Sequence, residues 1–311
     1  MSDVLQNIAF IGATGNLGRH TLKALVDQAK QNITLISRSK PKDIPTSDNI
    51  KIHVGQYDDE VFLQQALAGQ DLLIIMLAFT GLGVQDKLVE VAARAGVKYI
   101  MPSTYGMDMS NPKLYNTMPL AKKSAAMNDK IKQLGMKPIG VVTNLWIDYS
   151  IEFGLAGFDV EKRQATIYSD SGHFCTSSLA QVGRGIAAML ALPRSTIDER
   201  FADNDLYITS FRITHQEWFD AILKATNTTE ADWNVERKST DVLLEDGNAM
   251  LAKGDRSGML DLIYYCTFKK DLGGDYAGRL DNDFLELPEE DIVEVIRTQL
   301  AKPGQGKPDF V

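Results

Sequence analysis

The chain has 311 residues, of which 44% are hydrophobic and 24% charged, enough for one large core with a smaller appended domain. Its 41 acidic and 33 basic residues give a net charge of -8, which argues against nucleic-acid binding, because nucleic-acid-binding proteins present a basic face. The two cysteines, Cys175 and Cys266, lack the spacing of a disulfide framework or a zinc site. The four histidines also lack metal-ligand spacing, so we expect no metal site.

The N-terminal sequence and the apolar stretches predict a cytoplasmic protein. The sequence MSDVLQN lacks the basic and apolar regions of a signal peptide. The longest apolar stretch, residues 72–84, is interrupted by Thr80, Gly81 and Gly83 and is too short to span a bilayer. We therefore expect a cytoplasmic location and no membrane partner.

The first predicted elements are a strand, a glycine-rich turn, a helix and a second strand. Residues 7–12, NIAFIG, form a short apolar run typical of a strand buried on both faces. Residues 18–29 have apolar side chains at helical spacing, and a second apolar strand, NITLIS, begins at residue 32. Three glycines separate the first strand from the helix: Gly12, Gly15 and Gly18. This order is the context that a dinucleotide-binding fingerprint requires.

The spacing of the three glycines fits the chemistry of a pyrophosphate site. Gly12 permits a tight turn, Gly15 allows the backbone to approach a pyrophosphate, and Gly18 allows the helix to pack closely on the sheet. The N-terminus of the helix then presents N–H groups and a positive dipole end to the phosphates. A turn without a ligand is the alternative, and the surrounding pattern favours the cofactor site.

The end of the second predicted strand indicates which cofactor binds. In an NAD-specific domain, an Asp or Glu at this position binds the ribose hydroxyls. Here the sequence is SRSKPK, which begins at Ser37 and contains no acid. Arg38 and Lys40 suit the 2′-phosphate of NADP, so we predict NADPH as the cofactor. A solvated basic loop is the alternative.

Strands and helices continue to alternate along the chain. The pattern predicts strands at residues 50–59, 71–78, 97–103 and 137–146, and helices at 60–70, 84–96 and around 120–134. Such alternation predicts an α/β fold with a doubly wound parallel Rossmann sheet.

The alternation breaks after Trp146. We therefore predict a dinucleotide-binding domain over residues 1–147 and a smaller C-terminal substrate domain over residues 148–311. Residues 176–212 are expected to return to the first domain.

Four stretches resemble the NmrA-like and isoflavone-reductase-like branch of the atypical short-chain dehydrogenases/reductases: GATGNLGRH, VGQYDD, AARAGVKYIMPSTYGMD and GVVTNLWIDY. The stretch AGVKYIMPSTYG is similar to the family's strand-five signature, which ends in Pro-Ser-x-Phe-Gly, with Tyr105 in place of Phe. The resemblance is close over roughly the first half of the chain and looser beyond it.

The resemblance implies an NADPH-binding oxidoreductase. Its cofactor would contact the glycine-rich turn, the basic end of the second strand and the ends of the fourth and fifth strands. Taken with the residue patterns, the predicted cofactor-binding residues are Gly12, Thr14, Gly15, Asn16, Leu17, Gly18, Ser37, Arg38, Lys40, Leu77, Ala78, Phe79 and Pro102. Tyr105 and Trp146 are predicted to contact a small-molecule substrate, with packing between domains as the alternative for Trp146.

The catalytic group is predicted from the helix after the fifth strand. This helix lacks the Tyr-x-x-x-Lys pair in which lysine lowers the pKa of a catalytic tyrosine. The resemblance to isoflavone-type reductases implies a lysine about eleven residues before the glycine that precedes the next strand, and counting back from Gly135 reaches Ser124. We predict that Lys123, one residue earlier, is catalytic. A solvated pair, Lys122 and Lys123, is the alternative.

Two functions from different classes fit these features. One is an NADPH-dependent reductase of a small aromatic or quinone-like carbonyl or ene substrate, with Lys123 or a water molecule as the proton donor. The other is a non-catalytic, NmrA-like redox sensor that binds NADP(H) and acts through a protein partner. The missing Tyr-x-x-x-Lys pair favours the sensor. The lysine pair and the large second half favour the reductase, which is our leading hypothesis.

Overall fold

The structure is a computed structural model that describes residues 3–302, apart from the side chains of Phe79 and Thr80. The elements of the first half are β1 (Asn7–Ile11), α1 (Asn16–Gln28), β2 (Asn32–Ser37), β3 (Ile50–Val54), α2 (Glu60–Leu67), β4 (Leu72–Ile75), α3 (Gln85–Arg94), β5 (Tyr99–Met101), β6 (Tyr105–Gly106), α4 (Pro119–Gln133), β7 (Lys137–Pro138), β8 (Gly140–Val142) and β9 (Leu145–Trp146). Those of the second half are α5 (Ile147–Glu152), β10 (Phe158–Asp159), β11 (Gln164–Tyr168), β12 (Phe174–Ser177), α6 (Leu179–Leu190), α7 (Arg194–Arg200), β13 (Asp205–Tyr207), β14 (Phe211–Ile213), α8 (His215–Thr226), β15 (Asn234–Lys238), α9 (Asp241–Ala252), α10 (Gly258–Phe268) and α11 (Ile292–Leu300).

A parallel sheet of six strands carries the N-terminal half, in the spatial order β3-β2-β1-β4-β5-β7. Its side chains alternate between two cores, as a strand with a period of two requires. Ile8 and Phe10 face the core that contains α1 and α6. Ala9 and Ile11 face the core that contains α2 and α3. Helices therefore cover both faces, and the predicted doubly wound Rossmann sheet is confirmed.

The predicted sixth strand, residues 137–146, is divided into three short strands that join three different sheets. β7 pairs with β5, β8 pairs with β6 and β13, and β9 pairs with β12. The chain changes direction at Asn144, which has a left-handed φ of 52°. The side-chain amide of Asn144 donates to the carbonyls of Cys175 and Gly274 at 3.0 and 2.8 Å, and these bonds hold the turn.

Two elements of the second half pack against elements of the first half. β13 pairs with β8 in parallel, in the three-stranded sheet β13-β8-β6. Helix α6 packs along α1, and Gly183 lies where the two helices are closest. A Cβ atom on Gly183 would lie 2.7 Å from the backbone carbonyl of His20, so only glycine permits this approach. The exact domain boundaries stay a prediction.

A separate aromatic core lies in the second half, beneath the sheets β10-β11-β15 and β14-β12-β9. His215 is fully buried within it and stacks on Phe158, with ring centroids 4.6 Å apart. Its Nε2 atom lies 2.9 Å from the carbonyl oxygen of Ala156. Burial lowers the pKa of His215 from 6.5 to about 4, although the bond to Ala156 opposes the shift. The imidazole is therefore neutral in the folded protein at neutral pH.

Candidate functional site

The glycine-rich turn between β1 and α1 is held by close contacts of its backbone. Gly12 has a φ of 86°, and a Cβ atom there would overlap the carbonyl oxygen of Met76 at the end of β4. A Cβ atom on Gly18 would overlap the carbonyl oxygen of Gly12 and lie 2.9 Å from the backbone of Ala13. Because Gly12 has no side chain, the turn can pack closely against the end of β4. Because Gly18 has none, α1 can pack closely against the turn.

Gly15 faces outward and precedes the open N-terminus of α1. Its N–H donates to the carbonyl of Gly12 at 3.0 Å, and a Cβ atom on it would lie 3.3 Å from that oxygen. Gly15 and Thr14 are exposed, Asn16 is half-buried, and Leu17 is buried in the core. The N-cap residue of α1 is Gly15, which has no side chain to cap the helix, and the first turn has no acidic residue. An uncapped helix N-terminus beside an exposed glycine suits a phosphate group.

The end of β2 presents basic side chains next to an aromatic ring. Ser37 is half-buried, and Arg38 and Lys40 are exposed. The guanidinium carbon of Arg38 lies 5.7 Å from the centroid of the Tyr57 ring. Sequence reasoning included the VGQYDD stretch in the resemblance but did not predict the contact between Arg38 and Tyr57, because a contact between residues 19 positions apart leaves no local pattern.

The chain segments that follow β4 and β5 are joined by one hydroxyl group. Ser103 Oγ accepts a hydrogen bond from the Leu77 N–H at 3.0 Å and donates to the Leu77 carbonyl at 3.1 Å. The Ser103 N–H donates to Gln85 Oε1 at 2.7 Å. Leu77 is half-buried, Ala78 is exposed and Pro102 is buried. The predicted Phe79 contact lies outside the described side chains.

The two predicted substrate residues, Tyr105 and Trp146, pack against the core beneath α1 and α6. The Tyr105 ring is half-buried, and its hydroxyl is shielded from solvent with no hydrogen-bond partner among the described residues. Burial raises the pKa of Tyr105 well above its ordinary value, so the hydroxyl stays protonated. The Trp146 Nε1–H donates to Thr143 Oγ1 at 3.1 Å, which fixes the indole ring.

Helix α4 separates its lysines from its buried face. Lys122 and Lys123 are both exposed, and Ser124, the next residue, is buried. Ser124 and Asn128 line a small cavity of about 10 Å³ beneath the helix, together with Asp205. Burial, followed by the charge of Asp108, raises the pKa of Asp205. Sequence reasoning missed Asn128 and Asp205, and the catalytic role of Lys123 stays a prediction.

A cleft with a volume of about 770 Å³ lies between residues 108–113 and loops of the second half. Several of its charged side chains are paired: Arg279 Nη1 is 2.8 Å from Asp108 Oδ2, and Arg212 Nη2 is 2.7 Å from Asp275 Oδ2. Among the described residues that line this cleft, none was predicted to bind the cofactor or substrate.

The described residues contain neither a cluster suited to a metal ion nor a helix suited to a membrane span. Within residues 3–302, no group of three or more His, Cys, Asp or Glu side chains is arranged to hold a metal ion. None of the described helices has the length and apolar character needed to cross a membrane.

Comparison with known proteins identifies the N-terminal half. Residues 12–137 match a family model described as NAD(P)H-binding. The oxidoreductase aprR of Aspergillus flavus is 28% identical over 301 residues, which cover 94% of this chain and 98% of that protein. The isoflavone reductase homolog IRL of Zea mays is 28% identical over 118 residues, 35% of this chain and 38% of that protein.

Solved structures share the fold over about 95% of the chain. The leucoanthocyanidin reductase of Vitis vinifera in complex with NADPH has a TM-score of 0.74 at 13% identity, covering 95% of this chain and 100% of that one. AtPrR2 with NADP+ and (+)pinoresinol has a TM-score of 0.73 at 17% identity, covering 95% and 99%. At such identities these likenesses concern the fold. Together with the sequence relatives, they confirm the predicted isoflavone-reductase-like resemblance.

Proposed function

We propose that this chain, whose residues 12–137 match an NAD(P)H-binding family model, belongs to the isoflavone-reductase-like branch of the atypical short-chain dehydrogenases/reductases and is an NADPH-dependent reductase of a small aromatic or quinone-like carbonyl or ene substrate. One observation carries the proposal: an uncapped α1 behind the exposed Gly15 adjoins a strand end that bears Arg38 and Lys40. The first feature suits a pyrophosphate, and the second suits the 2′-phosphate that distinguishes NADP from NAD.

The residues around the crevice have distinct proposed roles. The backbone N–H groups at the start of α1 would bind the pyrophosphate, and Arg38 and Lys40 would bind the 2′-phosphate. The segments at Leu77 and Pro102, tied together by Ser103, would border the reacting end of the cofactor. NADPH, when bound, supplies a hydride for the reduction.

Reduction also requires a proton, and we propose that Lys123 donates it. An ammonium group can donate a proton to the substrate atom that gains negative charge, and such general acids contribute about 10² to 10⁴-fold to the rate. The exposure of Lys123 would let solvent restore that proton after each turnover. A water molecule in the crevice is the alternative donor.

The substrate class is inferred from the rings near the crevice. Tyr105 and Trp146 are both half-buried and held in place, Tyr105 by core packing and Trp146 by its bond to Thr143. Rigid, partly exposed aromatic rings favour a flat aromatic ligand over a flexible aliphatic one. The isoflavone reductase homolog and the pinoresinol-bound structure bear names of aromatic compounds, which supports the same class.

A spectrophotometric screen tests the proposal. NADPH oxidation is followed with panels of quinones, aromatic ketones and enones, alongside binding titrations with NADP+ and NAD+. We expect oxidation with at least one aromatic class and tighter binding of NADP+. Tight NADP+ binding with no oxidation across the panels would contradict the reductase.

The non-catalytic sensor remains a second candidate because of α4. The helix lacks the Tyr-x-x-x-Lys pair, and its buried face carries Ser124 while Lys122 and Lys123 are exposed. A sensor would bind NADP+ and NADPH without turnover and would bind a protein partner with different affinity in the two states. Affinity capture with each cofactor form present distinguishes this function from the reductase.

A further inference from the structure

The side chain of Arg38 rests against a single aromatic ring. Its guanidinium carbon lies 5.7 Å from the Tyr57 ring centroid, within the range at which a cation is attracted to an aromatic face. Within residues 3–302, no carboxylate forms an ion pair with Arg38, so the charge is not neutralised by a neighbour. Arg38 is therefore oriented by Tyr57 while its positive charge remains available to an anion.

Tyr57 is itself fixed by contacts with β2. Its hydroxyl donates to the Ile36 carbonyl at 3.2 Å. Burial raises the pKa of Tyr57, against the opposing charge of Arg38, so the hydroxyl remains a donor at neutral pH. The Gly55 N–H donates to the Ser37 carbonyl at 3.0 Å, which ties the chain before Tyr57 to the end of β2.

The segment around Tyr57 is also held from the side of α2 and α3. A Cβ atom on Gly55 would lie 2.7 Å from the Phe62 ring, so glycine allows that ring to pack directly against the chain. Asp59 caps α2 by accepting from the Phe62 N–H at 3.0 Å, and Lys87 Nζ donates to the Asp58 carbonyl at 2.7 Å. The ring of Tyr57 thus belongs to a rigid support.

We infer that Tyr57 is a positioning residue that holds Arg38 for the 2′-phosphate and thereby contributes to the choice of NADP over NAD. The inference rests on the proposed function, because it concerns the proposed cofactor site. A free arginine side chain loses rotational freedom when it binds a phosphate, and this loss weakens binding. An aromatic ring that already restricts the guanidinium group before the phosphate binds reduces this loss of rotational freedom. NAD has no 2′-phosphate, so its affinity should not depend on Tyr57.

Binding titrations of the full chain with NADP+ and NAD+ test this inference. We expect Tyr57→Leu to weaken NADP+ binding about two- to fivefold, the effect of one exposed cation–aromatic contact, and to leave NAD+ binding unchanged. Tyr57→Phe keeps the ring and should keep the wild-type ratio of the two affinities. In an Arg38→Ala background, Tyr57→Leu should have no further effect on NADP+.

A remote pair of the same kind provides the control. The guanidinium carbon of Arg200 lies 4.1 Å from the centroid of the Phe284 ring. Phe284→Leu should leave the affinities for NADP+ and NAD+ unchanged. The inference would be overturned if Tyr57→Leu weakened the binding of NADP+ and NAD+ equally. It would also be overturned if the losses of NADP+ affinity caused by Tyr57→Leu and Arg38→Ala were fully additive. Failure of the proposed cofactor site looks different, because the wild-type chain would then show no preference for NADP+ and Arg38→Ala would have no effect.

Discussion

The three glycines of the turn differ in what surrounds each α-carbon. We predict that Gly15→Val abolishes NADP+ binding and leaves the protein folded, because the new side chain would point to the exposed face where a phosphate approaches. Gly18→Val is the matched control. Its side chain would overlap the backbone of Gly12, so it should lower the free energy of unfolding by about 1–3 kcal/mol. Chemical denaturation and cofactor titration measure both effects, and unchanged NADP+ affinity in folded Gly15→Val would place the cofactor elsewhere.

Arg38 carries the prediction of cofactor preference. Arg38→Asp replaces a partner of the 2′-phosphate with a repulsive charge, and should weaken NADP+ binding by roughly 2 kcal/mol or more. NAD+ affinity should remain close to its wild-type value, since NAD lacks that phosphate. Isothermal titration with both cofactors provides the measurement. Equal affinity of the wild-type chain for the two cofactors would show that the basic strand end is an ordinary solvated loop.

At the scale of one element, α4 decides whether a lysine takes part in the chemistry. Adjacent residues of a helix point about 100° apart, so Lys122 and Lys123 do not share one direction. We expect Lys123→Ala to lower turnover by about 10² to 10⁴-fold without changing NADPH affinity, and Lys122→Ala to have little effect. Steady-state kinetics with an accepted substrate make the comparison. Full activity of Lys123→Ala would show that a water molecule or another residue donates the proton.

Elements with a local cause were predicted, and those that depend on distant partners were not. The apolar runs of β1, β2 and β4 and the glycine-rich turn follow from patterns within a few residues. The division of residues 137–146 depends on Asn144, whose amide bonds reach Cys175 and Gly274. The link from Ser103 to Leu77 likewise joins loops that only the folded sheet brings together. Sequence patterns therefore predict the glycine-rich turn better than the contacts between the segments that follow β4 and β5.

At the scale of the whole molecule, His215 makes stability depend on pH. Its pKa is about 4 in the folded state and near 6.5 in the unfolded chain, so between these values only the unfolded chain binds the proton. The contribution of the buried neutral imidazole to the free energy of unfolding is fully present above pH 6.5. This contribution is lost progressively as the pH falls from 6.5 towards 4. Between pH 7 and pH 5 this loss amounts to about 2 kcal/mol.

Urea unfolding at pH 7 and pH 5 tests the effect. His20, whose pKa burial also lowers to about 4, acts in the same direction, so the wild-type protein must be compared with a variant. His215→Gln should reduce the loss between the two pH values by about 2 kcal/mol. An identical loss in His215→Gln and wild type would contradict the assignment.

The packing of α6 on α1 has a consequence for protein synthesis. Leu17, Leu22 and Leu25 of α1 share one core with Val182 and Ile186 of α6. A growing chain that has only just emerged past β8 carries the complete glycine-rich turn, yet its first helix still exposes an apolar side to water, because α6 has not been made. Translation must therefore pass well beyond the turn before that helix is covered. We therefore expect the glycine-rich turn, although it is synthesised early, to become stable only after α6 has been made, and we expect the exposed side of α1 to favour aggregation until then.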